Sequence, residues 1–160
     1  MAKQLMIKPE KCIGCRTCEV ICSWNKAKNF NPRNSAVSII NYEEVVISVP
    51  MMCLQCEEAC CVKVCPVGAM YKDENGVVKT DAAKCIVCKM CVNACPLGNV
   101  TFSQGNRKIV KCDLCGGDPG CAKYCPAGCI VYTGEEDGLG RKKAAAFSLR
   151  NVFGVQEAAK

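Results

Sequence analysis

The sequence predicts an α+β fold of short β-hairpins, short helices and cysteine loops, arranged as two interleaved units. Three observations predict it. Sixteen of the eighteen cysteines in the 160 residues fall into four runs of four. The chain resembles itself in the order A-B-A-B. Turn-forming residues punctuate short alternating segments after the second and third runs.

The runs are Cys12-Cys15-Cys18-Cys22, Cys53-Cys56-Cys61-Cys65, Cys85-Cys88-Cys91-Cys95 and Cys112-Cys115-Cys121-Cys125. The first and third are spaced C-x2-C-x2-C-x3-C. The last three end in Cys-Pro, at Pro66, Pro96 and Pro126. This spacing is that of bacterial ferredoxins with two clusters, and it implies four [4Fe–4S] clusters, one for each run. Such a cluster needs four soft, deprotonated sulfur donors shielded from water. Cysteines three apart in one loop can face three corners. A fourth donor from elsewhere ties two chain segments to one cluster. In the two-cluster pattern that fourth cysteine ligates the other cluster. With four runs, spacing alone leaves the pairing of runs open.

The repeat separates ligands from bystanders. Type A is Lys11-Cys12-Ile13-Gly14-Cys15-Arg16-Thr17-Cys18 beside Lys84-Cys85-Ile86-Val87-Cys88-Lys89-Met90-Cys91. Type B is Cys61-Val62-Lys63-Val64-Cys65-Pro66-Val67-Gly68 beside Cys121-Ala122-Lys123-Tyr124-Cys125-Pro126-Ala127-Gly128. In this register Cys60 falls opposite Gly120 and Cys129 opposite Ala69. Neither has a cysteine counterpart, so both are expected to be small buried filler and not ligands.

Other readings of so many cysteines fit less well. A disulfide framework joins distant segments, whereas these cysteines crowd single loops. The first residues lack the long apolar run and cleavage site of a secretory leader. A structural zinc module would use two C-x2-C pairs separated by a longer loop. The chain has no histidine, which excludes a Rieske centre, a C-x-x-C-H haem site and a histidine general base. The formal charge of +6 suggests nucleic acid at first. Four thiolates on each oxidised cluster contribute about −8 in all and bring the total to about −2. Aromatic stacking positions are sparse, so nucleic acid is not an expected partner. No stretch reaches the roughly 20 apolar residues of a membrane span. A cytoplasmic, reducing location is expected.

Each C-x2-C-x2-C stretch reads as a loop, with the fourth cysteine on a short helix that ends at the Cys-Pro turn. Segments 69–72 and 77–80 read as a hairpin around Asn75-Gly76, and 99–103 with 108–111 as a second. Residues 4–8 read as a strand pairing with 130–133, and Val45–Val49 as another short strand. Residues 23–44 read as an ordered surface loop. Residues 134–143 read as a linker, and 144–160 as a helical arm with Phe147, Leu149, Val152, Phe153 and Val155 on a broad apolar side. The double domain therefore spans 1–133, with an outer unit of 1–22 plus 104–133 and an inner unit of 45–103.

Over residues 5–133 the four runs resemble the four-cluster, ferredoxin-type electron-transfer subunits of molybdenum and tungsten bis-pterin oxidoreductases, the dimethyl-sulfoxide reductase iron–sulfur family. In length and cytoplasmic character the chain is most similar to small subunits of tungsten aldehyde oxidoreductases or benzoyl-CoA reductase complexes of anaerobes. The resemblance implies one-electron transfer without catalysis, to or from a larger catalytic subunit, with a ferredoxin or flavoprotein subunit as further partner. It pairs run one with run four and run two with run three. The implied ligand sets are Cys12, Cys15, Cys18 and Cys125; Cys112, Cys115, Cys121 and Cys22; Cys53, Cys56, Cys61 and Cys95; and Cys85, Cys88, Cys91 and Cys65. Run one departs from the family at Ser23, where the other runs have proline. A free-standing polyferredoxin is the alternative.

Overall fold

A computed structural model describes residues 3–134. The expected linker beyond residue 134 and the expected helical arm lie outside the described residues. Each cysteine run builds a similar local object. The residue just before the second cysteine is left-handed in all four runs: Gly14 (φ +66°), Gln55 (+50°), Val87 (+56°) and Leu114 (+58°). Residues with a Cβ adopt that region uncommonly, a β-branched valine least readily. Strain of about 1–3 kcal/mol at such a position persists only where the surroundings over-determine it. Its recurrence at four equivalent positions ties the loop shape to what the cysteines hold.

The third cysteine of each run lies at the start of a short helix. Cys18 is in α1 (Thr17–Ala27), Cys61 in α2 (Cys60–Lys63), Cys91 in α3 (Met90–Ala94) and Cys121 in α4 (Gly120–Lys123). In runs two, three and four the fourth cysteine follows the helix, just past it and not on it. The Cys-Pro step then turns the chain, and the N–H groups of Gly68, Gly98 and Gly128 donate to the carbonyls of Cys65, Cys95 and Cys125 at 3.3, 3.2 and 3.2 Å. Proline disfavours helical backbone in the residue before it, and Cys95 is accordingly extended (φ −78°, ψ 111°).

Run one shows what the missing proline does. With Ser23 after Cys22, α1 carries both cysteines and continues to Ala27. This corrects the surface loop expected at 23–44. That segment holds the second half of α1, a 3-10 turn at Pro32–Asn34 and strand β2 (Val37–Tyr42). The strand pairs antiparallel with β3 (Ile47–Met52), with Val37 opposite Met52. Its inward positions Val37 and Ile39 are buried and alternate with exposed Ser38 and Ile40. The short strand expected at Val45–Val49 begins later, because Glu43–Val45 form a 3-10 turn and Val46 is left-handed (φ +55°).

The remaining strands follow the expected pattern. They are β1 (Gln4–Ile7), β4 (Met70–Lys72), β5 (Val78–Thr80), β6 (Val100–Ser103), β7 (Lys108–Lys111) and β8 (Ile130–Thr133). β4 pairs with β5 and β6 with β7 as antiparallel hairpins, and β1 closes on β8 with Ile7 opposite Ile130. The β4–β5 turn is held by Asp73, whose carboxylate accepts from the N–H groups of Asn75 and Val77, both at 2.9 Å.

Two buried groups of side chains form the interior. One joins Cys18, Cys22, Val37, Ile39, Met52, Val110, Cys112, Leu114, Cys121, Cys129 and Ile130. The other joins Ala59, Met70, Val78, Cys91 and Val100, with Cys61, Cys65 and Cys95 packed against it. α1 packs on α4, and α2 on α3. At the first crossing Gly120 leaves no room for a side chain. A Cβ there would lie 2.6 Å from Cγ2 of Ile21 and 2.9 Å from Nδ2 of Asn25. Gly120→Ala is expected to destabilise the chain by about 1–3 kcal/mol through overpacking, read as a lower denaturation midpoint of the loaded protein. An unchanged midpoint would mean that the crossing yields.

Candidate metal centre

The fold brings cysteines of different runs together, most plainly in the outer half. Cys12, Cys15 and Cys18 of run one share a hollow with Cys125 of run four, walled by Ile13, Pro126 and Ile130. Cys112, Cys115 and Cys121 of run four share another with Cys22 of run one, beneath Leu5, Val37 and Met52. In the inner half, the cysteines whose charges bear on Cys61 are Cys53 of its own run and Cys95 of run three. Those bearing on Cys91 are Cys85 and Cys88, and Cys65 packs into the same buried group as Cys91. A wider groove walled by Lys79, Ala82, Arg107 and Ile109 contains a single run cysteine, Cys85, and is not where the sulfurs converge.

Burial dominates the protonation of the deepest thiols. It pushes Cys18 and Cys121 up to about 12 and Cys112 up to about 11. These thiols remain protonated near neutrality until a cation draws the sulfur into coordination, so loading the site releases protons. Other sulfurs already have donors. The N–H of Ala36 donates to Cys22 Sγ at 3.2 Å and that of Asn99 to Cys95 Sγ at 3.3 Å. Burial raises the Cys65 thiol, but the N–H groups of Met70, Val67, Ala69 and Gly68 outweigh it and hold its pKa below the ordinary value. A hydrogen bond from the Thr17 side chain lowers Cys15 in the same way.

The two surplus cysteines differ. Cys129 is buried to 1% exposure, as expected of filler, and sits against Cys12 and Cys125. Cys60 is exposed at the start of α2, which corrects its reading as buried filler. It lies at the outer surface of a helix only four residues long, where there is no core to fill.

Two residues of the site escaped the sequence reading. Lys111 precedes Cys112 much as Lys11 and Lys84 precede Cys12 and Cys85, and nothing marked it as different. Yet it is buried to 5% exposure. Gln55, inside the Cys53–Cys56 loop, donates to the carbonyl of Cys112 at 2.9 Å and accepts from the N–H of Val78 at 2.9 Å. It stitches run two to run four.

The donor set fits an iron–sulfur cluster. Among the described residues no three cysteine, aspartate or glutamate side chains converge tightly enough to hold a single metal ion. In each of the two outer hollows four soft sulfur donors line one space, the donor set such a cluster takes.

A domain model described as a 4Fe-4S dicluster domain matches residues 44–136, and another of the same description matches residues 11–69. The chain belongs to this 4Fe-4S dicluster family. Within it, the chain is 40% identical over 122 residues to the polyferredoxin-like subunit of an aliphatic sulfonate oxidoreductase from Pyrococcus furiosus, covering 76% of this chain and 70% of that protein. It is 33% identical over 146 residues to the thiosulfate reductase electron transfer subunit PhsB of Salmonella typhi, covering 80% and 74%. A solved chain of the active-site complex BamBC of benzoyl coenzyme A reductase, in complex with benzoyl-CoA, superposes with a TM-score of 0.51 at 27% identity, covering 96% of this chain and 91% of that one. Two dicluster domains and sixteen run cysteines make four [4Fe–4S] clusters. This dicluster protein is an iron–sulfur electron-transfer subunit, as are its relatives within oxidoreductase complexes. Among the described residues no helix is long and apolar enough to cross a membrane.

Proposed function

We propose that this chain carries single electrons to or from a larger catalytic subunit built around tungsten or molybdenum on a bis-pterin, in the cytoplasm. The ligand sets of that reading are Cys12, Cys15, Cys18 and Cys125; Cys112, Cys115, Cys121 and Cys22; Cys53, Cys56, Cys61 and Cys95; and Cys85, Cys88, Cys91 and Cys65. The observation that carries it is the exchange of fourth cysteines, with Cys125 beside run one and Cys22 beside run four. The proximity of Cys95 to Cys61 supports the same exchange in the inner half.

When bound, each cluster takes up and releases one electron, at a potential set by charge, hydrogen bonds to sulfur and exposure. The chain's own residues do the rest. Ala36 donates its N–H to the sulfur of Cys22, Asn99 to that of Cys95, and the turn after Cys65 gives that sulfur the N–H groups of Val67 to Met70, which steadies the thiolates. Val37, Met52 and Leu5 keep water from the hollow of Cys22 and Cys112. Ile13 and Ile86 are 68% and 63% exposed, beside the exposed Cys15 and Cys88. These apolar loop tips fit partner contact close to the sulfurs, as electron transfer between subunits requires.

Anaerobic purification from the native cell tests the partner. Co-elution with a large tungsten- or molybdenum-containing subunit is expected. A stable monomer in every fraction would favour a free polyferredoxin. Cys129→Ala is expected to keep all sixteen irons, four for each of the four clusters. Loss of four would make Cys129 a ligand.

A further inference from the structure

Lys111 places a positive charge in the interior, and among the described residues no carboxylate pairs with it. The acidic group nearest in sequence, Asp113, is paired with Lys26. The Lys111 ammonium instead donates to Cys53 Sγ at 3.2 Å, to the carbonyl of Cys112 at 3.0 Å and to the carbonyl of Val78 at 3.1 Å, with Oε1 of Gln55 at 3.5 Å. A buried cation left uncompensated costs several kcal/mol. Three of these four acceptors are neutral. The remaining one is the sulfur of a run cysteine, which becomes an anion on binding iron. Among the described residues, Lys111 therefore finds its counter-charge in Cys53 once run two is loaded.

Its position between runs makes the effect selective. Cys53 opens run two and Cys112 opens run four, so the ammonium sits between the ligand loop of the inner unit and that of the outer. It gives its hydrogen bond to a sulfur on one side and to a backbone carbonyl on the other. In the internal repeat the residue before Cys53 is Met52, itself buried and apolar, so no matching cation faces back from run two.

We infer that Lys111 is a positioning residue that selectively raises the reduction potential of the cluster held by Cys53, Cys56, Cys61 and Cys95. An added electron on a cluster increases its negative charge. A buried cation hydrogen-bonded to one of its sulfurs favours the reduced form. The inference rests on the ligand sets proposed above.

The test is an anaerobic redox titration followed by electron paramagnetic resonance, on wild type and on Lys111→Met and Lys111→Arg. Cys53→Ala identifies the wave, because it removes the cluster in question. In Lys111→Met that wave is expected to fall by at least about tenfold in its reduction equilibrium, about 59 mV for one electron. The other three should move far less, and Lys111→Arg should restore it. If Lys111→Met purifies with fewer than sixteen irons, Gln55→Glu carries the test, since a carboxylate facing Nζ should lower the same wave. An unmoved wave in a fully loaded variant, or an equal fall in all four, overturns the inference. A wild-type protein without four reducible clusters would overturn the ligand assignment instead.

Discussion

Cys65→Ala is expected to abolish the cluster held by Cys85, Cys88 and Cys91 and to spare the one held by Cys53, Cys56 and Cys61. Cys65 lies only four residues from Cys61, so a local reading of run two would predict the reverse. One observation favours the distant partner. The run-three sulfur that bears on Cys61 is Cys95, the fourth cysteine of the other inner run. Iron should fall from sixteen to twelve, and visible absorbance by about a quarter, as one of four similar chromophores is lost. Cys95→Ala should remove the other inner cluster. Spectra assign the losses, because the single variants Cys53→Ala and Cys85→Ala provide the reference for each missing signal. If Cys65→Ala and Cys53→Ala lack the same signal, the exchange is wrong.

Removing the clusters altogether should unfold the chain. Cys18, Cys22, Cys91, Cys112, Cys121 and Cys129 stand among its buried apolar residues, so much of the interior is sulfur. Among the described residues the second buried group holds only Ala59, Met70, Val78 and Val100 besides Cys91. Fully burying one valine or methionine contributes about 1.5–3 kcal/mol, while ordering each backbone residue costs about 1–2 kcal/mol. So thin a core offsets the ordering of few residues. Metal binding energy is folding energy in such small sites. The apo chain, made with chelator and reductant, is expected to lose its sharp thermal transition in circular dichroism. A cooperative transition at the same midpoint would show that the side chains hold the fold unaided.

Much of this was legible in the sequence because cysteine spacing and turn chemistry are local signals. The Asn75-Gly76 turn and the Cys-Pro steps marked the hairpins after runs two and three to within a residue. The strand pair that closes the ends, β1 with β8, was legible as short apolar runs at 4–8 and 130–133. The hairpin of β2 and β3 was not. Its first strand, Val37–Tyr42, carries only two buried positions, and the polar stretch before it hid the second half of α1. Ser23 was the available sign, because a run without Cys-Pro has nothing to stop its helix. Cys60 misled because alignment can show that a cysteine lacks a counterpart but cannot show whether it is covered. Lys111 was illegible for a different reason. A lysine before a cysteine is ordinary at Lys11 and Lys84, and only the packing of β7 against run two turns the third one inward.

Native mass spectrometry of the anaerobically purified chain tests the central claim most directly. The account predicts a mass increment equal to four [4Fe–4S] clusters, with sixteen irons and sixteen sulfides per chain. An increment equal to four zinc ions, with no labile sulfide, would contradict it.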